Sequence, residues 1–101
     1  MYNEKFMDIA LEEAKLALDE NEVPVGAVIV KDGVVIAKAH NTREKTKNAL
    51  HHAEVIAIDN ACKELSGWRL WQCKMYVTME PCPMCAGAIV NARIPNVFWC
   101  I

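Results

Sequence analysis

The sequence predicts an α/β fold, a three-layer α-β-α sandwich on a mixed sheet with helices on both faces. Three observations predict it. Helical and strand-like apolar patterns alternate in the order α-β-β-α-β-α-β. The strand-like runs at residues 25–30 and 34–39 are apolar at successive positions, broken only by Lys38, which suits strands covered on both sides. The last two strands enclose a helix, so they should lie parallel with a right-handed connection.

Each element follows from local pattern. Between residues 3 and 20, Phe6, Met7, Ala10, Leu11, Ala14, Ala17 and Leu18 recur at three- and four-residue steps, which gives a helix with one buried face. Pro24 ends that pattern. The next two apolar runs flank Lys31-Asp32-Gly33, whose Asp-Gly pair signals a tight hairpin. Residues 41–48 read as a polar loop without periodicity. A second helix, from about residue 52 to 65, buries Val55, Ile56, Ala57, Ile58 and Ala61 and stops at Ser66-Gly67. Residues 74–79 read as a strand. Pro81-Cys82-Pro83 then turns into a helix that ends near Arg93, with Pro95 beyond it. Residues 97–101 read as a last strand.

The chain has 101 residues, which allows one compact domain, and 53% of them are hydrophobic. A domain of this size has little burial per residue to spare, so a metal or a partner subunit would help to hold it. The formal charge is −2, which excludes a global basic field for nucleic acid. Local attraction would fall to residues 38–47, where Lys38, Arg43, Lys45 and Lys47 face only Glu44, unless that loop is simply a solvated surface. The cysteine count, five, is odd, and the first twenty residues read as an acidic amphipathic helix and not as a signal peptide. No apolar run approaches the ~18–20 residues of a membrane span. A reducing cytoplasm is expected, with some cysteines kept for metal.

The chemistry concentrates at two helix starts. In Pro81-Cys82-Pro83-Met84-Cys85 the cysteines stand three apart on a first turn, so both sulfurs can reach one ion. The helix N-terminus should also favour thiolate. Pro83 falls where a missing N–H costs nothing. His52-Ala53-Glu54 opens the other helix. His52, Cys82 and Cys85 give three ligands and leave a fourth tetrahedral position for water, the pattern of a catalytic zinc site. Glu54 is spaced to lie beside the metal and to move protons without ligating it. Taken singly, a His or Glu at a helix start is a cap or a solvated residue, and a C-x-x-C also serves redox and structural zinc sites. Together they match the established signature of zinc nucleobase deaminases, H-x-E followed by P-C-x-x-C.

Beyond that signature the chain resembles the tRNA-specific adenosine deaminases, within the cytidine deaminase-like zinc superfamily. The likeness is carried by Val23-Pro24-Val25-Gly26-Ala27-Val28, Asn41, His52-Ala53-Glu54 and Trp68-Arg69-Leu70. It continues through residues 76–89 around the two cysteines and through Asn91-Ala92-Arg93-Ile94. The resemblance implies one Zn2+ per chain and conversion of the wobble adenosine of a tRNA anticodon loop to inosine. It implies a homodimer whose RNA site spans both subunits. Asn41 would hydrogen-bond the base, with Val25 and Ala53 shaping its pocket and Glu54 as the catalytic acid and base. The family continues past this chain's end, so residues 1–101 are expected to be a single zinc deaminase domain without the family's C-terminal helices. The terminal apolar run fits the same expectation, or cover by a partner.

Two rival functions share these residues. A guanine, cytosine or cytidine deaminase acting on a free base or nucleoside would use the same zinc motif. A structural or inactive deaminase-like zinc protein would need no carboxylate at Glu54. His51 is expected to lie at the surface or behind the ligands and not to be one, and His40 to be structural. The remaining cysteines (Cys62, Cys73, Cys100) are expected in the core and the tryptophans (Trp68, Trp71, Trp99) in the core or at an interface.

Overall fold

The computed structural model describes residues 1–100. Four strands form one sheet in the order β2-β1-β3-β4, made of β1 (Gly26–Lys31), β2 (Val34–His40), β3 (Cys73–Val77) and β4 (Asn96–Trp99). β1 pairs antiparallel with both β2 and β3, while β3 and β4 are parallel, so the sheet is mixed as predicted. Asp32 and Gly33 both take positive φ, 52° and 75°, which is the backbone of the tight hairpin expected from their sequence.

Alternation along β1 divides the core. Val28 and Val30 point to α1 (Glu4–Asp19), where they join Phe6, Met7, Ala10 and Tyr76. Ala27 and Ile29 point the other way, into a larger cluster with Ala53, Ala57 and Ala61 of α3 (Ala53–Leu65) and Ile89 and Ala92 of α4 (Pro83–Ala92). β1 is therefore buried on both faces, which is why its sequence is apolar throughout. Helix α1 lies close against the start of β1. A Cβ on Gly26 would stand 2.0 Å from the Ala10 carbonyl oxygen and 2.6 Å from the Ala14 nitrogen. Only glycine fits there.

The structure departs from the sequence reading in three places. The loop at 41–48 contains a one-turn helix, α2 (Arg43–Thr46), which is too short for periodicity to reveal. Cys100 is exposed, because β4 ends at Trp99 and leaves it beyond the sheet. Trp68, Trp71 and Trp99 are all exposed and none packs in the core. Trp68 instead lies under two guanidiniums, Arg69 at 4.3 Å and Arg93 at 5.7 Å from its ring centre. The expected strand residue Ile101 lies outside the described residues. His40 is structural as expected: its ring nitrogens bond Glu13 at 2.8 Å and Glu20 at 3.1 Å, tying the end of β2 to α1.

Candidate functional site

Helices α3 and α4 start side by side at one end of the sheet, and the candidate residues sit at those starts. His52 is the N-cap of α3 and Cys82 the N-cap of α4, both with extended backbone and neither making a side-chain cap bond. Pro83 occupies the first helical position. Cys85, two residues further on, is fully buried. The His52 Nδ1 atom stands 3.5 Å from the Cys85 Sγ and 3.7 Å from the Cys82 Sγ. All three donor atoms lie within 4.8 Å of one another.

That spacing can be tested against a metal. Zn–S bonds of about 2.3 Å and Zn–N bonds of about 2.0–2.1 Å at a tetrahedral angle set nitrogen and sulfur roughly 3.5 Å apart. The observed distances fit zinc. One prediction fails in the metal-free chain: the Cys85 thiol is pushed up, not down, first by burial and then by the neighbouring Glu54 and Cys82. Burial and like charge outweigh the helix N-terminus, so a bound cation must drive this sulfur to thiolate.

Glu54 is the second residue of α3 and is buried. It lines a cavity of about 150 Å³ together with His52 and Cys82, Val25 and Asn41, and with Val23, Arg43, Met79 and Glu80. Asn41 is buried between β2 and α3. Its Oδ1 accepts from the Ala53 N–H at 2.8 Å, and its own N–H donates to the Val25 carbonyl at 3.2 Å. The side-chain oxygen thus caps α3 from outside, and the amide NH2 remains to meet a ligand. Ala53 is fully buried in the core and does not line the cavity. Its backbone N–H fixes the Asn41 side chain at the cavity.

The other polar candidates stand apart. The His51 Nδ1 atom lies 2.7 Å from the Thr46 Oγ1, outside the ligand group. Cys62, Cys73 and Cys100 do not join the three donors. A larger cavity, about 500 Å³, runs past Glu13, His40, His51 and Asp59 and holds none of the three metal donors. Sequence reasoning missed Glu22, Glu80 and Met79, and named Arg43 only as part of a basic segment. Met79 and Glu80 lie just before Cys82 in the chain, whereas folding alone brings Glu22 to this loop cluster.

Comparison with known proteins agrees with this site. The cytidine and deoxycytidylate deaminase zinc-binding region matches residues 1–101, and the chain belongs to that family. It is 52% identical over 95 residues to the tRNA-specific adenosine deaminase of Bacillus subtilis, covering 94% of this chain and 59% of that one. A solved tRNA:A34 deaminase, studied for A-to-I editing at the wobble position, superposes with TM-score 0.92 at 45% identity, covering 94% of this chain and 73% of that one. The guanine deaminase of Bacillus subtilis superposes with TM-score 0.94 at 42% identity, covering 99% and 64%. This chain spans 59% of the length of the Bacillus subtilis relative and 66% of that of the tRNA-specific adenosine deaminase of Aquifex aeolicus.

Proposed function

We propose that this chain is the zinc deaminase domain of an enzyme that hydrolyses adenosine to inosine in RNA, at the wobble position of a tRNA anticodon. The observation that carries the proposal is Glu54, a buried carboxylate in the same small cavity as two of three zinc-spaced donors and the free amide of Asn41. A structural zinc site has no use for such a carboxylate.

His52, Cys82 and Cys85 would hold one zinc ion per chain, which when bound would supply an acidified water at neutral pH. Glu54 would take a proton from the attacking water and deliver it to N1 of the base as C6 gains oxygen. It then carries a second proton to the exocyclic nitrogen, which leaves as ammonia, so adenosine and water give inosine and ammonia. The Asn41 amide donates to an acceptor on the base edge, and Val25, with Val23 and Met79, supplies apolar wall. An anticodon base is already unpaired, so moving it into a pocket costs little.

The tRNA assignment is supported by the curated relative at 52% identity. The guanine deaminase likeness favours a second reading, hydrolysis of a free base. Homodimer formation belongs to the same proposal and is supported by apolar surface on α4, where Met84 and Val90 are exposed. Among the described residues no helix is long and apolar enough to cross a membrane. A cytoplasmic location goes with the tRNA reading and with five free cysteines.

Ammonia release measured in parallel on an anticodon stem-loop, guanine, cytosine and cytidine tests the substrate. We expect turnover on the stem-loop, abolished to roughly 10²–10⁴-fold below wild type in Glu54→Gln. Turnover on a free base with none on RNA would overturn the assignment.

A further inference from the structure

Glu22 is a buried carboxylate with no place in the chemistry above. It sits in the loop between α1 and β1, 6% exposed. Both its oxygens are committed to the backbone of α2: Oε1 accepts from the Glu44 N–H at 3.1 Å and Oε2 from the Lys45 N–H at 2.8 Å. Burial pushes its carboxyl up, but those two donors, with His40 and Arg43 nearby, leave it below its ordinary value. It is therefore ionised at neutral pH.

A buried charge is costly unless fully bonded, so its contacts have a use to explain. Here they hold a helix of four residues that buries no side chain of its own and whose N-cap, Thr42, makes no cap bond. A helix this short has no stability alone. What the clamp fixes is the place of Arg43, the first residue of α2, which lines the cavity with Asn41, Glu54 and the metal donors His52 and Cys82. Among the described residues no carboxylate forms an ion pair with the Arg43 guanidinium, although Glu80 lines the same cavity. An unpaired guanidinium beside a base-sized cavity suits an anion outside it, and its planar fork matches phosphate oxygens two at a time. A neutral base inside and a phosphate at the rim together describe a nucleotide unit. A free base carries no phosphate for this cation.

We propose that Glu22 is a positioning residue that holds Arg43 at the mouth of the cavity, where Arg43 binds a phosphodiester of the RNA substrate. The inference rests on the RNA reading given above. It is tested with zinc-loaded protein and a fluorescent anticodon stem-loop, by anisotropy over a range of salt concentrations. Arg43→Ala should weaken binding roughly fivefold to tenfold and reduce the slope of log affinity on log salt by about one. Arg43→Lys should recover most of the slope. Glu22→Gln, which keeps the shape but loses the charge, should weaken binding in the same direction, and the double variant Glu22→Gln/Arg43→Ala should bind no worse than Arg43→Ala alone. A Glu22 that served only overall stability would give additive losses and an unchanged salt slope, which would overturn its role. Wild-type binding with Arg43→Ala indistinguishable from it would overturn the phosphate site. Failure of the wild type itself to bind RNA, with turnover on a free base, would refute the RNA reading and this inference with it.

Discussion

Helix α1 begins on Asn3, whose side chain accepts from the Lys5 N–H at 3.0 Å, whereas α3 and α4 begin on His52 and Cys82, whose side chains cap nothing. The first arrangement satisfies an orphan donor within the helix itself. In the second, the two N-cap side chains turn away from their own helices and approach each other, and Cys85 joins them. For α3 the missing cap comes from another element, through the Asn41 oxygen on the Ala53 N–H. The contrast teaches that the functional end of this fold gives up local helix stability to free donor atoms. A residue from β2's end then restores part of it while presenting its amide to a ligand.

The largest test of that contrast is Cys82→Ser, which installs an ordinary capping residue where a metal donor stood. Its effects should have opposite signs. Without metal the variant should gain roughly 0.5–1 kcal/mol from the new cap. With zinc at about a thousand times its dissociation constant, the wild type should gain about 4 kcal/mol that the variant lacks. Thermal melts with zinc and with a chelator read both. A variant stabilised by zinc as much as the wild type would break the contrast.

Asn41→Asp sharpens the double role of that side chain. An aspartate keeps an oxygen for the Ala53 N–H and removes the amide donors. Stability from denaturant titrations should fall by about 1–3 kcal/mol, the cost of a buried carboxylate oxygen left without a donor, while kcat/KM falls at least roughly tenfold. Equal kcat/KM would show that the amide does not face the substrate. The smallest effect belongs to the conventional end: Asn3→Ala should cost about 1 kcal/mol, seen in the same denaturant titrations, with zinc content unchanged.

Much of this was legible in the sequence, and for stated reasons. Periodicity located α1, α3 and α4, and the apolar run of β1 announced burial on both faces, because both signals arise from the elements' own surfaces. The His-x-Glu and Cys-x-x-Cys spacings were readable because a helix start fixes where neighbouring side chains go. Other features depend on contacts between distant segments. Glu22 bonds residues more than twenty positions away. The position of Ala53 behind the pocket wall, and the rise of the Cys85 thiol pKa, follow from burial, which no motif encodes. The tryptophans are exposed, so of the two expected places the core is ruled out, since size alone does not say whether an aromatic residue packs inside or at an interface.

The central claim is that His52 and Cys82, released from capping, hold zinc together with Cys85, with Glu54 beside the metal and not on it. Metal content of purified, dialysed protein tests this most directly, measured by plasma emission on the wild type, His52→Ala and Glu54→Gln. We predict one zinc ion per chain in the wild type and in Glu54→Gln, and almost none in His52→Ala. Zinc lost from Glu54→Gln, or retained in full by His52→Ala, would contradict the account.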